Sequence, residues 1–267
     1  MKKKYVIYTC MSGNYDMIFD PVVKHPLFDY VFFTDQKDLD SKGWSARQFS
    51  ESGYPDKVLA NRYHKIFPQL VLPEYELSLY IDSNMRIIGD LSSVLEEFLD
   101  SNCSIGLLKH PRRNTVSEEI DACIAYNKLP NKDMAMKQLQ YYESQGFQDD
   151  QGLIEANVIL RKHTDPLLNE TMELWWQNLQ EFTRRDQLSL PFVLWKTQIQ
   201  KKVFNWNARD ENPYIYLYAH KTASRLDNFH TSLGCRKFDS AMHKMLLKMW
   251  VSVKPTFKSM MNSLGKS

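Results

Sequence analysis

Long apolar runs are absent from this chain of 267 residues: no stretch of about 18 consecutive apolar side chains occurs, so nothing in it reads as a membrane span. The apolar stretch 5–10, behind the basic residues 1–4, is too short for a secretory leader and lacks a small-residue cleavage site, so a cytoplasmic location is expected. Cysteines number four (Cys10, Cys103, Cys123 and Cys235) and form no CxxC pair, which argues against a zinc site and against a disulfide framework. Neither a GxGxxG pattern nor a P-loop is present, so a phosphate cradled by glycines at a helix N-terminus is not expected. Internal repeats and low-complexity linkers are missing as well.

The composition that remains, 43% apolar and 25% charged, is that of a chain able to bury a full core. Short β-branched and aromatic runs alternate with amphipathic helical patterns, which predicts an α/β domain with a largely parallel sheet flanked by helices. Strands are expected at 4–10, 30–34, 44–49, 77–81, 104–108 and 157–161. Helices are expected at 57–67, 92–99, 116–127, 132–144, 165–183 and 188–201. One catalytic domain, 1–234, would carry a tail, 235–267.

Charge separates these two parts. The tail has seven basic residues and one acidic, a net of +6, while 27 basic and 31 acidic residues leave the first 234 positions at −4. Met242, Leu246, Met249, Val253, Phe257, Met260 and Leu264 recur at spacings of three and four, with Lys244, Lys248, Lys254 and Lys258 among them. The spacing predicts a basic amphipathic helix, interrupted or restarted at Pro255, and an anionic membrane surface as its partner, on the inner face. A helix packed on the core with its lysines in solvent is the competing reading. No nucleic-acid partner is expected.

Candidate ligand contacts lie at predicted strand ends, where open α/β sheets bind. Thr9, Ser12 and Asn14 fall in the polar turn after the first strand, and Asp35 follows the second. The apolar strand 77–81 runs into Asp82-Ser83-Asn84, an oxygen-rich turn. A diphosphate leaving group must be neutralised by a metal, by Lys and Arg, or by backbone N–H groups. Asp82 with Asn84 could hold Mn²⁺ or Mg²⁺, hard ions that take oxygen ligands, although an amide at position 84 binds more weakly than a carboxylate would. Arg62 and Lys65, spaced i, i+3, share one helix face and offer the cationic route. His110, Arg112 and Arg113 form a denser basic loop for a phosphate or an anionic acceptor; a solvated loop is the alternative.

Segments 80–84 with Asp90, 118–127, 152–163 and 185–189, taken in this order, resemble the GT-A-like glycosyltransferase domain family long catalogued as a domain of unknown function. Its members include plant Golgi wall-polysaccharide proteins and proteins from bacterial capsule or lipopolysaccharide clusters. The resemblance runs from about residue 5 to residue 201. It implies a GT-A-like, Rossmann-type sheet and a glycosyltransferase that moves sugar from a nucleotide-sugar to a glycan or lipid-linked acceptor in surface polysaccharide synthesis. It further implies that a late histidine completes the metal site, with His220 preferred over His230. Asp186 is the candidate general base, though an Asp at a helix start is also a common cap. Glu155 is its rival as base and otherwise a sugar ligand, and Gln187 is an acceptor contact. Two alternatives stay open: a glycan or nucleotide-sugar binding module without catalysis, and a sugar nucleotidyltransferase, which would lack its usual Gly-rich basic loop.

Overall fold

The computed structural model describes residues 5–37, 42–49, 56–129 and 131–264, the last nine without their side chains. The chain runs through β1 (Tyr5–Met11), β2 (Phe28–Thr34), β3 (Ser45–Gln48), α1 (Lys57–Ile66), the short α2 (Pro68–Val71), β4 (Leu77–Ile81) and β5 (Met85–Ile87). Next come α3 (Ser92–Asp100), β6 (Ile105–Lys109), α4 (Val116–Ala125), α5 (Lys132–Ser144) and β7 (Ile154–Lys162). It finishes with α6 (Pro166–Glu181), α7 (Asp186–Thr197), β8 (Lys201–Phe204), β9 (Ile215–Leu217), α8 (Arg225–Arg236) and α9 (Ala241–Leu264).

Among the described residues, seven strands form one sheet in the order β3-β2-β1-β4-β7-β6-β8. Every neighbouring pair is parallel except those of β7, which runs antiparallel to β4 and β6. The mostly parallel α/β class expected from the sequence is therefore what the chain adopts. Both faces are covered, as a central parallel strand requires. Along β1, Val6, Tyr8 and Cys10 enter one apolar cluster while Ile7 and Met11 enter the other. Helix α6 packs on the first cluster through Leu168, Met172 and Trp175, and α3 on the second through Val94, Leu95 and Phe98. The chain builds outward from β1 to β3 and then returns to β4 on the opposite side, so the topological switch point lies between β1 and β4.

Several expectations need correction. The helix expected at 188–201 begins two residues earlier and ends at Thr197, because Gln198 adopts a left-handed φ of 54° that stops it. Its last expected residue opens β8 instead. Strands β5 and β9 pair with each other in a separate two-stranded sheet; β5 is not among the expected strands, whereas β9 falls in the aromatic, strand-like run 214–218. The boundary expected at 234/235 falls inside α8, where Cys235 is buried and its carbonyl accepts from Arg86 Nη1 at 2.5 Å. Helix α9 runs through Pro255 without a break, forgoing one N–H bond; the expected positions 257–264 lie outside the described side chains.

Gly89, two residues past β5, lies against the backbone that leads into β9. A Cβ there would sit 2.1 Å from the Pro213 carbonyl oxygen, and the Gly89 N–H already donates to Tyr214 O at 3.3 Å. Gly89→Ala should therefore cost about 1–3 kcal/mol and lower the melting temperature by roughly 2–10 °C in a circular-dichroism melt. An unchanged melting temperature would show that this contact is not tight.

Candidate active site

A cleft of about 390 Å³ opens at the carboxyl ends of β1 and β4, at the switch point. Helix α1 forms one wall. Its start is fixed by the Asp56 carboxylate, which accepts from Val58 N at 2.8 Å, and Asn61 Nδ2 ties it to β1 by donating to Cys10 O at 2.9 Å. This docking turns Arg62 and Lys65 together into the cleft, the shared face anticipated from their spacing. The opposite wall comes from β7. Its register against β6 jumps between Leu107 and Leu108, and this irregularity leaves Ala156 and Asn157 to line the cleft.

Lys65 is the centre of the site. Its side chain is 1% exposed, and Nζ lies 2.6 Å from Asp186 Oδ2 and 3.2 Å from Asp82 Oδ1. Tyr80 OH also donates to Asp82 Oδ1 at 2.9 Å, and Arg62 Nη1 lies 3.3 Å from Asp186. Burial alone would raise the Asp186 carboxyl, but the charges of Arg62, Lys65 and Arg185 overcome it and hold the group well below the usual carboxylate range. Asp186, the expected general base, thus lines the cleft as the counter-ion of a buried cation cluster and not as a free carboxylate. Nor does its side chain cap α7, whose N-cap position belongs to Arg185.

Glu155 is fully buried and does not line the cleft. Burial pushes its carboxyl up, while the ion pair with Arg209 and the 3.1 Å bond from Asn157 Nδ2 counter the rise. Arg209, not Glu155, reaches the cleft, so Glu155 positions an arginine instead of touching a sugar.

A second network was missed by sequence reasoning. Asp16 is 3% exposed, accepts from Ser83 Oγ at 2.5 Å, and lies 2.8 Å from His220 Nδ1. Asn84 Nδ2 donates to Tyr218 O at 2.9 Å, and Tyr218 N returns a bond to Asn84 O at 3.0 Å, which locks the 82–84 turn to the segment after β9. The only hint of Asp16 was its nearness to a polar turn at a strand end.

Asp82, Asn84 and His220 all line the cleft. About a third of the Asp82 side chain, 35%, is open to it, and the Asp16 carboxylate orients the His220 ring as carboxylates commonly orient metal-binding imidazoles. Among the described residues no group of three or more His, Cys, Asp or Glu side chains could hold an ion. Asp82, Asn84 and His220 thus share the cleft without forming a ready-made ligand set.

Other expected contacts fall differently. Ser12 lines the cleft, whereas Thr9 is buried inside the sheet and does not line it. Asn14 accepts from Lys221 Nζ at 2.7 Å outside the cleft. Asp35 accepts from Gly13 N at 2.7 Å, securing a turn in which Gly13 has a φ of 63°; it shapes the loop without lining the cleft. His230 lies on α8, away from the cleft. His110, Arg112 and Arg113 line an adjoining chamber of about 240 Å³, and Gln187 lines both spaces.

Residues 2–214 match the family described as TOD1/MUCI70, glycosyltransferase-like domain, and the chain belongs to that family. It is 28% identical over 162 residues to a protein of Arabidopsis thaliana named "Probable hexosyltransferase MUCI70", a match that covers 57% of this chain. The chain spans about a quarter, 27%, of that relative's length. Solved structures with similarity include the apo bifunctional glycosyltransferase WbbM, at 12% identity and a TM-score of 0.47, covering 76% of this chain and 39% of that one. Mouse xyloside xylosyltransferase 1 in its apo form is another, at 10% identity and a TM-score of 0.45, covering 75% and 84%.

Removing Lys65 would leave two carboxylates short of their buried partner. Lys65→Met should destabilise the protein by about 3 kcal/mol in urea, and adding Asp186→Leu should recover part of that loss. The Asp186 carboxyl has a lower pKa folded than unfolded, so its contribution is whole above the unfolded value of about 4 and is lost as pH falls toward the native one. Asp186→Asn should accordingly flatten the acid limb of the stability profile; an unchanged limb would contradict the pairing.

Proposed function

We propose that this chain is a glycosyltransferase that moves a sugar, a hexose by analogy with the plant relative's name, from a nucleotide-sugar to a glycan or lipid-linked acceptor in surface polysaccharide synthesis. The reading rests on the position and charge of the cleft. It stands at the switch point of the sheet, where five cationic side chains (Arg62, Lys65, Lys128, Arg185 and Arg209) face three carboxylates (Asp16, Asp82 and Asp186). Glu155 behind the wall matches Arg209, which leaves an excess of one positive charge, and fixed cations of this kind suit a departing diphosphate whose charge grows as the glycosidic bond breaks. Because Lys65 and Arg62 are already fixed by ion pairs, they need not reorganise as that charge develops. Tyr15, 61% exposed with its ring 4.8 Å from that of His220, offers a flat face to a base or sugar.

Asp82 and His220, with Asn84 beside them, would hold Mn²⁺ or Mg²⁺, which would supply further neutralisation of the diphosphate. Asp82 has the most direct role of these, and Lys65 keeps its Asp186 partner when Asp82 is removed. Asp82→Ala should therefore lower transfer at least about 100-fold while the melting temperature moves by only a few degrees. A panel of nucleotide-sugars with Mn²⁺, with and without a chelator, measures both. Binding of a nucleotide-sugar with neither hydrolysis nor transfer would favour the binding module.

The acceptor would be met at an anionic membrane, on its cytoplasmic face. Helix α9 contacts α8 through Trp250 against Phe229 and Lys254 against Asp227, while Met242, Met245, Leu246, Met249 and Val253 stay exposed along one stripe. Buried apolar area and lysine charge together drive reversible binding of such a helix. Lys244→Glu/Lys248→Glu should release the full chain from anionic vesicles in co-sedimentation, and salt should do the same to the wild type. Equal recovery of variant and wild type would remove the tail from this role.

A further inference from the structure

The chamber beside the cleft is built by the loop after β6, by α4 and by the start of α7. Its two spaces share Lys128, Arg185, Gln187 and Arg209, so a ligand in one reaches the rim of the other. Five cationic side chains line the chamber against one carboxylate, Glu119. That carboxylate is 3% exposed and already engaged: Oε2 accepts from Arg113 Nε at 2.6 Å, and Oε1 accepts from Cys123 Sγ at 3.4 Å with Arg185 Nη2 at 3.9 Å. Arg209 is matched by Glu155.

Two cations are left over. Among the described residues, neither Arg112 nor Lys128 has an ion-pair partner. The loop carrying Arg112 is nevertheless fixed, because His110 Nδ1 accepts from the backbone N–H of Arg112 at 3.2 Å and of Arg113 at 2.9 Å. His110 itself adds no charge: burial and the neighbouring arginines push its pKa down to about 4. Two buried donors at the junction also lack acceptors, Arg185 Nε and Gln187 Nε2, and the Gln187 residue is only 9% exposed. Buried donors are normally satisfied, so these two point to an acceptor atom supplied from outside the chain. At the rim stands Tyr126, 70% exposed, whose ring can cover the apolar face of a pyranose.

We propose that this chamber is the acceptor subsite and that the acceptor sugar carries an acidic group, a carboxylate or a phosphate. Arg112 and Lys128 would neutralise that group, Gln187 and Arg185 would donate to its oxygens or to neighbouring hydroxyls, and Tyr126 would stack on the ring. A neutral sugar would leave both cations uncompensated. The inference rests on the transferase reading above, yet its test does not, because binding is measured without a donor.

The experiment is calorimetric titration of the full chain at low salt with a trisaccharide of hexuronic acid, with its methyl ester, and with a hexose phosphate. At least one acidic saccharide should bind about tenfold or more tightly than the ester, and added salt should erode the difference. The Arg112→Ala/Lys128→Ala variant, changed only at exposed positions, should melt as the wild type does and lose at least about tenfold in affinity for the acid. Preference for the uronate or for the phosphate identifies the acidic group. Equal binding of acid and ester, no binding of either acid, undiminished affinity in the variant, or displacement of the trisaccharide by a nucleoside diphosphate would each overturn the proposal. Acid binding without turnover of any nucleotide-sugar would uphold the subsite and remove the transferase reading, whereas turnover onto a neutral acceptor without acid binding would do the reverse.

Discussion

A single buried ammonium ties the molecule's ligand-binding edge together. Lys65 sits on α1 and reaches Asp82, which ends β4, and Asp186, which begins α7 more than a hundred residues later. Burying an unpaired charge would be prohibitive, so the fold is committed to bringing these three segments together. Tyr8 OH donates to the Lys65 carbonyl at 2.8 Å and accepts from Arg161 Nη2 at 2.5 Å, which extends the constraint into β1 and β7. At the cleft, ion pairs thus join α1 to the end of β4 and to α7, and hydrogen bonds through Tyr8 add β1 and β7 to the network.

That arrangement also decides what chemistry the cleft can support. Asp186 is spent on Lys65 and Arg62, Glu155 is sealed behind Arg209, and neither expected base faces a substrate as a free carboxylate. What lines the cleft besides them is mainly cationic, arginines and lysines with fixed positions, together with Asp82 and an imidazole oriented by Asp16. Such a surface stabilises developing negative charge on a leaving group better than it removes a proton. The adjoining chamber continues the same excess toward Arg112, so one basic groove serves both proposed substrates.

Much of the sheet was legible because its strands are continuous apolar runs between polar turns, as in β1 and β4, and the long helices announced themselves by periodicity. The 82–84 turn and the paired positions 62 and 65 were legible for the same reason, since strand ends and helix faces are local properties. Strands β5 and β8 were not, because three or four residues such as Met85–Ile87 acquire strand character only from a partner far along the chain. The ion pairs that engage Asp186 and Glu155 were not legible, because nothing local reveals that Lys65 is buried or that Arg209 folds back onto β7. Asp16 stayed hidden likewise, since its significance depends on His220, 204 residues away. Short-range pattern therefore pointed to residues that line the cleft, and long-range pairing decides which of them are engaged by partners.

The central claim is that the cationic cleft between β1 and β4 receives the diphosphate of a nucleotide-sugar. A crystal structure of the full chain with UDP and Mn²⁺ tests it most directly. The account predicts the diphosphate inside the cleft beside Arg62 and Lys65, with the metal on the Asp82 side and the chamber near Arg112 left free. A nucleotide lodged elsewhere, or a diphosphate seated against Arg112 and Lys128 with the cleft empty, would contradict it.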